Sequence, residues 1–159
     1  MGIQYANSEI VARAWLLGLP GIPAGKVNTT LPQDKSSWSE TGFVQIAVTG
    51  GSPTTENSLR RPVITATCWA VNPASKNSPA PNMQPGKAPW GKANDLAEAI
   101  VRGCEAENGR GVTLSPAAAP GAQVLQAWVL SEPRRSPVQD GNPVARYVVD
   151  FQIAWVELT

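Results

Sequence analysis

The chain has 159 residues, of which 42% are hydrophobic and 16% charged, with a net charge of +1. That length suits one domain that buries a core without a disulfide or metal staple, and the near-neutral balance excludes a general nucleic-acid binder. The charged share is low against the about 25% usual in soluble domains, which reads either as a surface suited to burial against partners or as a loop-rich chain with many Pro and Gly.

The N-terminus, MGIQYANSEIVARAWLLGLPG, lacks a basic leading segment, and Asn7, Glu9 and Arg13 interrupt its apolar stretch. It reads as neither a signal peptide nor a membrane anchor. Ala6 stands where a myristoylation signal needs Ser or Thr. No apolar run reaches membrane-spanning length, and the expected setting is a soluble, cytoplasmic one.

The first predicted element is a helix from about Ser8 to Leu17, capped by Asn7 or Ser8. Ile10, Val11, Ala14 and Leu17 recur at helical spacing, with Trp15 beside them. Gly18 ends it, and Pro20 and Pro23 prevent its resumption. A Pro-, Gly-, Ser- and Thr-rich loop is expected over about 21–41.

Phe43 to Thr49 alternates, with Val44, Ile46 and Val48 on one side, and predicts a strand with one buried face. Gly50-Gly51-Ser52-Pro53 breaks it. Arg61 to Val71 predicts a second strand, rich in β-branched residues, with Pro62 at its start. Asn72 to Gly91 is Pro-rich and aperiodic and has the composition of a linker; if ordered, it packs on its own domain or on a neighbouring subunit.

A second helix is predicted from about Lys92 to Glu107, with Ala93, Leu96, Ala97, Ile100, Val101 and Cys104 on one face. Gln123 to Leu130 and Ala145 to Leu158 predict two more strands. Between them, Glu132 to Pro143 reads as an extended hairpin arm. The expectation is an α+β domain spanning 1–159: a four-stranded, mainly antiparallel sheet with two helices packed on one face, in the order α-β-β-α-β-β, with extended loops near 21–41, 72–91 and 132–143.

In the last strand Tyr147, Val149, Phe151, Ile153 and Trp155 point one way. Val148, Ala154 and Val156 point the other, among Asp150 and Gln152. Two helices cover about one face of such a sheet, so the second face is expected to keep several large apolar groups in water. Burying each is worth roughly 1.5–3 kcal/mol, which favours another protein chain on that face; long loops folded over it are the alternative.

The residue types give little chemistry. The chain has no histidine, so the commonest general base and metal ligand are missing, and Ser-His-Asp or Cys-His arrangements cannot form within it. Cys68 and Cys104 are isolated and read as small buried hydrophobes, with a single bridge between them as the alternative. The acidic residues form no ligand pattern, and no metal or cofactor is expected. The Gly-rich pieces read as turns, since Gly50-Gly51 lacks the Gly-Lys-Ser/Thr ending of a phosphate loop.

Arg60-Arg61 suits phosphate contacts or a salt bridge across a subunit boundary, or lies free in solvent. Arg134-Arg135 is the other basic pair. Of the six tryptophans, Trp15, Trp69, Trp128 and Trp155 fall inside predicted elements and read as core or interface. Trp38 and Trp90 fall in loops and are open to sugar or base stacking. The candidate subunit or tube interface is Trp69, Trp128, Trp90, Arg60, Arg61, Arg134 and Arg135, with Gly50 and Gly51 at a channel or turn.

GFVQIAVTGGSPTTENSLRRPVITATCWAVNP, APWGKANDLAEAIVRGCEAE and RYVVDFQIAWVEL resemble the first hairpin, second helix and last strand of the tail terminator (tail completion) proteins of long-tailed bacteriophages. Together with the element order they cover most of the chain. The resemblance implies a non-enzymatic virion protein at the head–tail junction, assembled in the host cytoplasm. It implies a ring of generally six copies that caps the tail tube protein and receives the head completion (connector) proteins, with DNA passing through its hole without specific binding. Another head–tail connector or minor tail protein, and a glycan- or small-ligand-binding module using Trp38 and Trp90, are the alternatives.

Overall fold

The computed structural model describes residues 7–51, 59–71, 89–106, 112–113, 122–136 and 144–157. Helix α1 spans Ser8–Leu17. The Asn7 side chain caps it by accepting from Ile10 N–H at 3.0 Å. Its buried stripe is Ser8, Val11, Ala12, Trp15 and Leu16. That corrects the expected face: Ile10, Ala14 and Leu17 sit half out, because the 8-11-12-15-16 spacing brings the large Trp15 ring inward.

The loop expected after α1 contains a two-residue strand, β1 (Val27–Asn28), and a short 3-10 turn at Lys35–Ser37 capped by the Asp34 side chain, which accepts from Ser36 N–H. Strands β2 (Phe43–Gly50) and β3 (Val63–Val71) follow. Helix α2 spans Trp90–Ala106, starting two residues before the expected Lys92, and buries Ala93, Leu96, Ala97, Ile100 and Cys104 of the predicted stripe, while Val101 at its edge is half-buried. β4 (Val112–Thr113), β5 (Ala122–Val129), β6 (Arg134–Arg135) and β7 (Val144–Glu157) complete the described elements.

The expectation of four strands is corrected to a seven-stranded sheet in the order β1-β2-β3-β7-β5-β4, with β6 also paired to β7. The four long strands are the ones alternation marks. The three two-residue strands are too short to show a period. All pairings are antiparallel except the one between β1 and β2. The long β7 is central: its first part pairs with β3 on one side and with β6 on the other, and its last part pairs with β5.

Both helices lie against one face. Ile46, Ile64, Ala66, Cys68, Val149, Phe151, Ile153 and Trp155 meet Trp15, Leu16, Leu96 and Ile100 in the main core. Trp15 stacks on Phe151 with ring centroids 5.6 Å apart. Pro-rich residues 72–88 and arm residues 137–143 lie outside the described residues. The rest of the expected arm holds β6, which packs on β7 and does not project.

Candidate functional site

The face of the sheet away from the helices has three zones. At one end the loop before β2 closes over it. Trp38, Phe43, Val71 and Val144 form a buried cluster there, with Leu31 and Trp69 packed beside it. The Lys92 ammonium donates to the Glu40 carbonyl and ties this loop to the start of α2. Trp38 is 1% exposed, so a sugar ring or a base has no access to it.

The middle zone is polar. Thr49 and Thr65 hydroxyls are hydrogen-bonded at 2.9 Å, and Thr65 donates to Asp150 at 2.7 Å. Ser131 donates to the same carboxylate at 3.1 Å, and Arg134 pairs with it at 3.2 Å. Partial burial pushes the Asp150 carboxyl up; hydrogen bonds from Thr65 and Ser131, with the Arg134 charge, outweigh it and hold the group below the usual aspartate value. The network joins β2, β3, β7 and β6, and it engages Arg134, one of the candidate interface residues, within its own chain.

The third zone is a shallow hollow of about 470 Å³, lined by Leu59, Arg61, Leu125, Gln126, Trp128 and Ala154. This is where the structure brings together two predicted interface residues, Arg61 and Trp128. Leu125 is an addition. It is the extra residue of a bulge between Val124 and Gln126, and it is 39% exposed. Two apolar residues in succession, Val124 and Leu125, are the trace of that bulge in the sequence.

The remaining candidates are dispersed. Arg60 exchanges two 2.9 Å backbone hydrogen bonds with Trp155 and lays its guanidinium 5.3 Å from that ring's centroid. Arg135 lies 4.8 Å over Trp90 and donates to the Tyr147 hydroxyl at 3.1 Å, while Trp90 meets Tyr147 edge-on at 6.1 Å. Trp69 donates to Gln45 at 3.1 Å under the Arg146 guanidinium. Stacking of this kind holds the planar arginine head and shields the indole face. Gly50 and Gly51 line a cleft of about 230 Å³ with Glu9, Val48, Arg60 and Arg61. Gly51 has φ +92, and a Cβ there would sit 2.2 Å from the Arg61 carbonyl oxygen, so this position is a turn that excludes any side chain.

The expectation that the second face keeps several large apolar groups in water is therefore corrected for the described residues, in favour of the loop-covered alternative at one end. The loop buries one end of the face, and Trp69 and Trp128 are half-buried. Among the described residues the exposed large apolar side chains are Val48, Leu125 and Leu130. Among the described residues no group of three His, Cys, Asp or Glu side chains is placed to hold a metal ion, and no helix is long and apolar enough to cross a membrane.

No protein-family model matches the chain, and no curated protein matches it. Among solved structures, a chain of the "Virion of native gene transfer agent (GTA) particle" is similar with a TM-score of 0.50 at 14% identity, over 96% of this chain and 87% of that one. The likeness spans nearly the whole of both chains, and it shows that the two share a fold.

Proposed function

We propose that this chain is a structural protein of a phage-like virion, a tail terminator that forms a ring on the finished tail tube and joins it to the head completion proteins. The observation that carries the reading is the near full-length fold likeness to a chain of a virion particle. The resemblance of the β2–β3 hairpin, α2 and β7 to the terminator family supports the more specific role. The hollow at Trp128 and Arg61, with exposed Leu125, is the surface best suited to another chain. In this reading the ring has six copies, the chain works as one domain without catalysis, and it is assembled in the host cytoplasm into the head–tail junction. A net charge of +1 lets DNA slide through the hole without being gripped. Trp38 is buried and Trp90 already carries Arg135 over its ring with Tyr147 edge-on, which counts against the glycan-binding alternative.

The test mixes the purified chain with the tail tube protein of the same particle and images the product by negative-stain electron microscopy. A ring capping the tube end is the expected outcome. Binding to the portal side and not to the tube would assign the chain to a connector position instead. A chain that stays monomeric with both would overturn the reading.

A further inference from the structure

The two outer long strands are each covered along only part of their length. β1 pairs with β2 at Val44 and Gln45, and β4 pairs with β5 at Val124 and Gln123. Beyond those partners, residues 46–50 of β2 and 125–129 of β5 have a paired strand on one side only, among the described residues. Val44 N–H donates to the Lys26 carbonyl at 2.9 Å. Backbone groups alternate sides along a strand, so the next outward donors and acceptors on β2 belong to Ile46 and Val48.

Proteins that stay single guard such edges with Lys, Pro, charge or bulges. Residues 43–51 and 122–130 contain no charged residue and no proline. Bulges occur between Val48 and Gly50 and between Val124 and Gln126, at the borders of the bare stretches, which leaves 46–48 and 126–129 regular. Val48, Leu125 and Leu130, exposed by 40%, 39% and 47%, are the exposed large apolar side chains of the described chain. All three lie on or directly after these two strands, on opposite sides of the sheet.

Three successive antiparallel pairings, β2 with β3, β3 with β7 and β7 with β5, make β2 and β5 run in opposite directions. A copy rotated about an axis parallel to the strands keeps its strand directions. Its β5 therefore arrives antiparallel beside the β2 of the first copy. Such a contact uses a different surface on each side and closes into a ring when the rotation divides the circle.

We propose that residues 46–48 of β2 in one copy pair antiparallel with residues 126–129 of β5 in the next, so that the occupant of each bare edge is a second copy of this chain. The inference rests on the ring reading and names the surface by which the ring closes. A second copy fits better than a foreign strand because every chain carries both uncharged edges, already running in the directions that pairing requires.

The test uses the full chain as two preparations, Ala47→Cys and Gln126→Cys. Both positions are exposed and both point to the face away from the helices, while the native Cys68 and Cys104 are buried. The preparations are treated with a short bis-maleimide, separately and mixed, at millimolar concentration and with tail tube protein, and assembly size is followed by light scattering. The expected result is a cross-linked dimer in the mixture alone. Cross-linking within a single preparation means that like edges meet, and overturns the proposal. Assembly without the mixed cross-link overturns it and leaves the ring reading standing. A folded chain that neither assembles nor cross-links overturns both. As a second arm, Val48→Lys is expected to keep the parent melting temperature and to weaken assembly roughly tenfold or more. Undiminished assembly of that variant counts against the proposal.

Discussion

The indole N–H of Trp155 donates to the hydroxyl of Ser8 at 3.1 Å, tying the end of the last strand to the first turn of the first helix. Both side chains are buried. Ser8→Ala leaves the indole N–H without this acceptor and is expected to cost about 1–3 kcal/mol. Urea unfolding checks it. In a Trp155→Phe background, which has no N–H to satisfy, the same substitution should cost clearly less.

Asp150 should shape the acid limb of stability. Its pKa in the folded chain lies below the ordinary value because the hydrogen bonds of Thr65 and Ser131 and the charge of Arg134 outweigh the upward push of partial burial. A depressed folded pKa contributes stability in full above the unfolded pKa of about 3.9, and loses it as pH falls through the folded value. Asp150→Asn should therefore be less stable than the parent at neutral pH. The gap should close as pH falls below about 4. Urea midpoints measured down the pH scale check both halves of the statement.

Burial pushes the Cys68 and Cys104 thiols up to about 12, with the neighbouring Glu105 charge adding to the effect at Cys104. Neither forms a thiolate at ordinary pH. Both are expected to resist a thiol-specific disulfide reagent in the native chain and to react together once urea unfolds it. Fast native labelling of either would contradict the burial of β3 and α2 on each other.

Gly51→Ala and Gly25→Ala separate two costs of a side chain at positive φ. Gly25 has φ +72 and open space around it, so its substitution pays only the left-handed backbone penalty, about 1–2 kcal/mol. Gly51 adds the clash with the Arg61 carbonyl and the Pro62 backbone. It should cost more than Gly25→Ala by roughly 1–3 kcal/mol. Equal unfolding midpoints for the two variants would show that the Gly51 turn gives way freely.

Alternation and helical spacing are properties of neighbouring residues, and they made the long elements legible. The Val44-Ile46 face, the Ala93-Leu96-Ala97-Ile100-Cys104 stripe and the burial of both cysteines all follow from such local patterns. The apolar excess of β7 was legible too, but its destination was not. Trp38 reads as an exposed loop tryptophan until the chain before β2 is seen folding it onto Phe43, 6.2 Å between centroids. Arg134 reads as an interface residue from the sequence, and its pairing with Asp150 is seen only once β6 lies beside β7.

Among the site residues, Arg61 and Trp128 were identifiable as large groups beside a strand start and within a strand. Val48 was not distinguishable from a core position, because it continues an apolar alternation, and the one sign of Leu125 was that it follows Val124 directly. Val48 lies at a cleft beside the start of α1, with Asn7, Ser8 and Glu9, and a bulge lets Leu125 out of register.

The sequence by itself determined the two helices and the four long strands, the apolar stripe of α2, and that histidine chemistry is absent, since all of these are set by residue type and spacing. Only the tertiary structure decided that β7 lies between β3 and β5, and therefore that β2 and β5 carry the bare edges among the described residues. The physical reason is that strand order is set by competition among pairings between distant segments. Their hydrogen bonds are alike for every sequence, and their preference emerges only when the whole core packs at once.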